Sequence, residues 1–395
     1  MAQKKAALKF VILLGIVSLC ADATYEGARS ITGAYLGVLG ASATVVGLVA
    51  GLGELIGYGF RLVIGYISDQ TRKYWGITTL GYVVNTAVVP FLALAGRWEV
   101  AAGLMIAERT GKAIRTPPRD VLLSHAATQV GRGFGFGLHE ALDQIGAVMG
   151  PLAVAAVIYL KGGYQGGFAI LIVPAVLGLS VLLVIQRLYP NPRDFEQETP
   201  TLKGEGLPRV FWIYLGAVAL VAAGYADFPL IAYHFQKGAI AQSAAPEAIA
   251  TEQTIPLLYA LAMGVDGVAA LVFGRLFDRT GISILVVAVF LSLMFPPLVF
   301  LGNSHLAIVG MILWGIGMGA QESILKAAVA GMVPMDKRAS AYGTFSAGYG
   351  LSWFLGSALM GILYDQSVNL LVVFSVVIQF AAIPILWLVG KHNIN

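Results

Sequence analysis

The sequence predicts an all-α membrane protein of twelve transmembrane helices in two pseudo-symmetric six-helix bundles. Three observations predict it. The chain is 58% hydrophobic and 12% charged, with a mean hydropathy of +0.80, a balance that excludes a soluble domain. Leu-, Val- and Ala-rich stretches long enough to cross a bilayer recur along the whole length. One extended polar stretch, 190–208, divides these stretches six and six, and the halves repeat each other weakly.

In order, the apolar spans are 9–36, 42–67, 75–95, 98–127, 133–159, 165–188, 209–237, 253–277, 281–302, 304–331, 338–363 and 368–390. The first imitates a secretory signal, with Lys4 and Lys5, an apolar run and Ala21-Asp22-Ala23. It is too long for one, and it continues through Glu26 and Arg29 to Leu36. The second carries glycines at four-residue spacing (Gly47, Gly51; Gly53, Gly57), which lets helix backbones approach closely in lipid; its Glu54 and Arg61 share a face and read as structural. The fourth is the most charged. Glu108, Lys112, Arg115 and Arg119 recur at i, i+4, i+7 and i+11, one face of a helix, with Pro117-Pro118 removing two backbone donors nearby. A charge at mid-bilayer costs about 2.5–3.5 kcal/mol on insertion scales, so such a stripe reads as the wall of a polar cavity. The fifth carries His139, Glu140 and Asp143 and then Gly146-Ala-Val-Met-Gly150-Pro151. The seventh carries Tyr225, Asp227 and His234; the tenth carries Gln321, Glu322 and Lys326. The resulting expectation is an N-terminal bundle at 1–189, a linker at 190–208 and a C-terminal bundle at 209–395.

Charge placement orients the chain. Lys4, Lys5, Arg72, Lys73, Arg132, Lys203, Lys337 and Lys391 fall in one set of loops and tails, whereas only Arg97, Lys161 and Lys237 fall on the other side. The positive-inside rule then puts both termini in the cytoplasm of a cell with the protein in its cytoplasmic membrane. The pI near 9.0 follows from this loop bias and does not indicate nucleic acid. Cys20 is the only cysteine, so no intrachain disulfide forms and the redox compartment is unreadable.

The repeat has recognisable parts. Arg132-Gly-Phe-Gly-Phe-Gly137 with Gly150 aligns with Arg338-Ala-Ser-Ala-Tyr-Gly343 with Gly356. Gly65-Tyr-Ile-Ser-Asp69 aligns with Gly274-Arg-Leu-Phe-Asp278, and Glu26 falls opposite Asp227 when Gly15 is set on Gly216. Gly65-Tyr-Ile-Ser-Asp69-Gln-Thr-Arg72-Lys73 resembles the Gly-x-x-x-Asp-x-x-x-Arg/Lys signature of the major facilitator superfamily, and Gly274 to Gly281 is its echo. Gly146 to Pro151 resembles that superfamily's antiporter motif. With the span count and linker, the resemblance covers essentially the whole chain. It departs in two places. The first loop lacks the glycine that usually precedes its basic residues, and Glu108-Arg109-Thr-Gly111-Lys112 replaces the Arg-x-x-Gln-Gly of proton-coupled drug exporters, which weakens a drug substrate.

The resemblance implies that spans 1, 4, 7 and 10 line a central cavity. At 1.5 Å per residue, span midpoints fall near Asp22, Lys112, Ala223 and Met318, so Asp22 and Lys112 lie at similar depth. Tyr25, Arg29, Arg109, Lys112, Arg115, Arg119, Tyr225, Gln321, Glu322 and Lys326 are the expected substrate-binding residues. Glu26 with Asp22 is the expected proton carrier, because two close carboxylates in a membrane are costly to ionise together; Asp227 is the partner acid, and His139, Glu140 and Asp143 are either a further proton site or an interdomain latch. Asp69, Arg72 and Lys73, with Asp278 and Arg279, read as latches that open and close: each aspartate can pair with its cations or cap a neighbouring helix.

Several motifs fail on context. Gly315-Ile-Gly317-Met-Gly319-Ala320 imitates a dinucleotide loop but lies inside an apolar helix, where glycines serve packing. No Gly-Lys-Ser/Thr loop, His-Glu-x-x-His or Gly-x-Ser-x-Gly occurs, and the five histidines are scattered. The expectation is a secondary transporter, not an enzyme, with no cofactor and no metal. It acts as a monomer in the lipid bilayer and moves a small anionic or zwitterionic organic solute by alternating access, coupled to protons, with import and export both open and the Gly146 to Pro151 motif pointing to antiport. Efflux of cationic amphiphiles or a metal by proton antiport is the alternative, and an intramembrane enzyme the remote one.

Overall fold

The computed structural model describes residues 2–190, 207–241, 252–333 and 338–392, so most of the linker, Lys203 and Lys337 lie outside the described residues. Among the described residues the chain is helical with no strand. The helices are α1 Ala2–Val38, α2 Ala43–Thr71, α3 Tyr74–Phe91, α4 Trp98–Val130, α5 Arg132–Tyr159 and α6 Gly163–Leu188 with a turn at Leu171. The second half comprises α7a Arg209–Gly224, α7b Phe228–Ala241, α8 Thr254–Thr280, α9 Ser283–Phe300, α10 Ser304–Met332, α11 Arg338–Gln366 and α12 Val368–His392. Among the described residues, eleven helical segments are long and apolar enough to cross a membrane, α7a and α7b counting as one. The twelfth is α4, whose 33 residues have the length while its charges lower the hydropathy.

The chain forms two compact units. The first gathers residues 1–31 and 60–200, hence most of α1, the end of α2, and α3 to α6. Its apolar core packs Phe10, Trp75, Tyr82 and Leu122, and the Trp75 indole donates to the Tyr189 carbonyl at 3.0 Å. Two seams set its helices. On α5, a Cβ added to Gly150 would stand 2.9 Å from Ala23 Cα of α1. On α4, a Cβ added to Gly111 would stand 2.6 Å from Asn85 Cα of α3. Small residues thus let backbones touch where lipid offers no hydrophobic drive between helices.

The second unit gathers 32–59 and 201–395. Its seams repeat the first unit's: a Cβ on Gly356 of α11 would meet the α7a backbone at Ala223, the counterpart of Gly150 against Ala23. Gly315 and Gly319 of α10 sit against Ala262 and Asp266 of α8, so the nucleotide-loop look-alike is a packing surface. Asp365, at the end of α11, accepts the Ala43 and Thr44 amides at 3.1 and 2.8 Å and the Thr44 hydroxyl at 2.6 Å, capping the α2 N-terminus.

Short turns interrupt the sixth span at Leu171 and the ninth at Leu293-Met294, and one span departs further from the sequence expectation. The seventh is broken at Tyr225-Ala226-Asp227 rather than continuous. Asp227 Oδ1 accepts the Phe228 amide at 2.8 Å, and Pro229, lacking an N–H, stands in the first turn of α7b, where that loss is harmless. The Asp-x-Pro signal was present in the sequence within the apolar run.

Candidate functional site

In the first unit the basic stripe of α4 meets α1, α3 and α5. Gly81 of α3 positions it: a Cβ there would stand 2.7 Å from Arg115 Cα, so the α3 and α4 backbones cross in contact. Arg115 is 1% exposed; its Nη2 reaches Asp22 Oδ1 at 3.1 Å, and its guanidinium lies 4.6 Å from the centre of the Tyr82 ring. Arg115 Nε and Nη1 have no hydrogen-bond partner among the described residues. One turn earlier, Lys112 is half-buried. It donates to the Tyr25 hydroxyl and lies 3.7 Å from the centre of that ring, with Arg109 at 5.8 Å from the same ring. The Tyr25 hydroxyl also bonds the Glu26 side chain, and Arg29 is a charged neighbour of Glu26. Glu108 turns toward α3, accepting the Asn85 amide at 2.7 Å, and stands 3.6 Å from Arg109.

The inner end of the stripe belongs to Arg119. Its Nε and Nη2 hold Asp120 at 2.9 and 2.7 Å, while Nη1 donates to Ser18 Oγ at 3.2 Å. Ser18 also bonds the Tyr82 hydroxyl at 3.0 Å and His139 Nε2 at 3.1 Å, so one α1 hydroxyl joins α3, α4 and α5. Asp143 Oδ2 lies 3.7 Å from both Arg119 Nη1 and His139 Nε2, and Glu140 is exposed. The expected residues of α1, α4 and α5 are therefore brought together. Ser18, Tyr82 and Asn85 were missed by sequence reasoning, because uncharged hydroxyls and amides in apolar helices carry no spacing signal.

The second unit holds the remaining candidates. Tyr225 is fully buried, its ring 5.1 Å from Phe295, 5.7 Å from Trp353 and 5.9 Å from Trp314, and its hydroxyl donates to the Trp314 carbonyl. The Trp314 indole donates to Ala226 O at 3.0 Å, and Ser375 and Gln379 of α12 both donate to Gly224 O. The carbonyls freed by the broken span are thus held by side chains, as backbone at membrane depth requires. Asp227 is buried as the cap of α7b. Gln321 is buried and accepts the Tyr349 hydroxyl at 3.2 Å, whereas Glu322 and Lys326 are exposed, one turn apart on α10.

The latch residues lie at helix ends. Asp69, Arg72 and Lys73 are exposed; Asp69 accepts the Tyr74 hydroxyl at 3.4 Å, and the N-terminus of α3 has no side-chain cap. The aspartate is therefore not the cap of α3. Arg72 adopts φ +54°, and Gly281, three residues past Asp278 as Arg72 is past Asp69, adopts φ +63°. Both copies turn out of their helix through a left-handed residue, and the first does so without glycine. Asp278 and Arg279 are exposed in the last turn of α8.

The model of the Major Facilitator Superfamily matches residues 14–325 and 228–393. The chain belongs to the major facilitator superfamily. An uncharacterized protein of Mycobacterium tuberculosis is 40% identical over 390 residues, covering 97% of this chain and 93% of that protein. An uncharacterized MFS-type transporter of Methanocaldococcus jannaschii is 28% identical over 91% of this chain and 89% of its own. Among solved structures, the nucleoside transporter NupG superposes with a TM-score of 0.77 at 15% identity, covering 95% of this chain and 98% of that one. A POT family transporter in complex with 5-aminolevulinic acid gives 0.72 at 14%, over 96% and 94%. At these identities the structures show the fold alone. The protein is a multi-pass membrane transporter of the superfamily and not an enzyme.

Proposed function

We propose that this transporter moves a small anionic or zwitterionic organic solute by alternating access and couples that movement to protons. It does so in the cytoplasmic membrane, with both termini in the cytoplasm and the bundles 1–189 and 209–395 as the bodies that move. The observation that carries this reading is Lys112, a half-buried ammonium on a membrane helix held by the hydroxyl and ring of Tyr25. A hydroxyl and a π face hold a cation more weakly than a carboxylate does, so Lys112 can exchange them for an incoming anion. Arg109 approaches the same ring and Arg29 stands near Glu26, so a solute carboxylate entering there meets several cations and Glu26 can receive an ammonium. In the second unit, Tyr225, Gln321, Glu322 and Lys326 are the proposed substrate-binding residues. Export of a cationic amphiphile or metal finds less support, because Asp22 is already paired with Arg115 at 3.1 Å.

Liposomes containing the purified protein, loaded to set a pH gradient and offered a panel of anionic, zwitterionic and cationic metabolites, test the reading. Gradient-driven movement of anionic or zwitterionic members, lost in Lys112→Ala, is the expected result. Movement of cationic members alone, or unchanged transport in Lys112→Ala, overturns it.

A further inference from the structure

Arg119 stands between two carboxylates and grips them unequally. Asp120 takes Nε and Nη2 at 2.9 and 2.7 Å, whereas Asp143 Oδ2 stops 3.7 Å from Nη1. Asp120 is the open acid, its side chain 45% exposed against 14% for Asp143. Among the described residues, Asp143 Oδ1 and His139 Nδ1 have no hydrogen-bond partner. The charged groups facing this corner are Asp22 of α1, Arg115 and Arg119 of α4 and Glu140 of α5, while α3 presents the Tyr82 hydroxyl.

The hydrogen-bond count at Ser18 couples these groups. A serine hydroxyl donates once and accepts twice. Arg119 uses one acceptor site, so His139 and Tyr82 share the remaining donor and acceptor. When His139 Nε2 bears hydrogen, Ser18 turns its own proton to Tyr82; when Nε2 is bare, Ser18 donates to it. The corner therefore has two hydrogen-bonded arrangements that differ by proton position, which is what a site that loads and releases a proton needs.

We propose that Asp143 is the carboxyl that carries the coupled proton and that Arg119 is the positioning charge that answers its arrival and departure. This deepens the proton-coupled reading above and rests on it. With the proton on Asp143, Arg119 keeps Asp120. When the proton leaves to water, the anion remains on Asp143, and Arg119 Nη1 closes the 3.7 Å gap toward it, loosening both Ser18 and Asp120. Because Ser18 and Asp22 are one turn apart on α1, that movement acts on the helix that also presents Tyr25 and Glu26.

The test reads the proton itself and needs no solute. Difference infrared spectroscopy of the purified protein across a pH titration detects the carbonyl stretch of a protonated carboxylic acid. A component of that band titrating above the range of exposed carboxylates is expected in the wild type, lost in Asp143→Asn, displaced but present in Asp143→Glu, and kept in Glu26→Gln and Asp22→Asn. Arg119→Gln is expected to move its midpoint to higher pH by about one unit, a tenfold change in proton affinity. A band lost in Glu26→Gln and kept in Asp143→Asn overturns the assignment and gives the proton to α1. Absence of that higher-titrating component from the folded wild type overturns it as well. The anion reading stands or falls separately on Lys112→Ala, so failure of one is distinguishable from failure of the other.

Discussion

Arg115 reaches Asp22 at 3.1 Å while stacked 4.6 Å from the Tyr82 ring centre, with 1% of its side chain exposed. Breaking such a buried pair from one side leaves an uncompensated charge, which in proteins costs on the order of 3–5 kcal/mol. Arg115→Ala should therefore lower thermal stability in detergent, and Asp22→Asn in the same background should recover part of the loss. Additive losses in the double variant, measured by thermal unfolding, would show that the two side chains do not act as a pair.

Lys112 lies one turn away and behaves differently. Its ammonium meets the Tyr25 hydroxyl and ring and is half-buried, with Glu26 and Asp22 as charged neighbours rather than the close pair that Arg115 makes with Asp22, so truncation costs less stability than at Arg115. Lys112→Ala should keep the wild-type melting temperature to within a few degrees and lose solute transport by at least tenfold. A variant that melted as early as Arg115→Ala would mean that Lys112 is a structural member of the cluster.

The α1–α5 seam gives a third prediction. Gly150 packs against Ala23, and Gly356 packs against Ala223 in the second unit. A valine at either position drives a side chain into backbone, which has nowhere to retreat; overpacking of this kind costs about 1–3 kcal/mol or more. Gly150→Val and Gly356→Val should both reduce the yield of monodisperse protein in detergent, whereas Gly57→Val, where an added Cβ meets nothing within 4 Å, should be tolerated. Equal tolerance at all three sites would refute the seam.

Orientation is tested by labelling. The positive-inside bias predicts that cysteines placed at Asp69, Arg132, Lys203 or Lys337 react with a membrane-impermeant reagent only from the cytoplasmic side. Labelling of any of them from outside intact cells would invert the topology.

The spans were legible because hydropathy and length are local: the expected 98–127 and 304–331 became Trp98–Val130 and Ser304–Met332. The charged stripe was legible because arginines and lysines in an apolar helix have few other reasons to exist. What the sequence hid is pairing. Nothing in the spacing says that Arg115 takes Asp22 while Lys112 takes Tyr25, since both cations lie on one face and the choice is made by the crossing of α3 and α4 at Gly81 and Gly111. Ser18 was hidden for the related reason that a hydroxyl acquires its role from the three groups around it.

The broken seventh span yields the last prediction. Four residues, one in the break and three from α10 and α12, hold it: Asp227 caps the Phe228 amide, the Trp314 indole binds Ala226 O at 3.0 Å, and Ser375 and Gln379 bind Gly224 O. Each occupies a backbone group that the helix no longer satisfies, and a buried group left unpaired costs about 1–3 kcal/mol. Trp314→Phe keeps most of the aromatic packing around Tyr225 but removes the only donor that its indole supplies. It should lower the unfolding temperature, and Gln379→Leu should do so less, because Ser375 still donates to Gly224 O. If the break is instead indifferent to these donors, Trp314→Phe will unfold with the wild type, and the aromatic packing alone must hold the two half-helices in place.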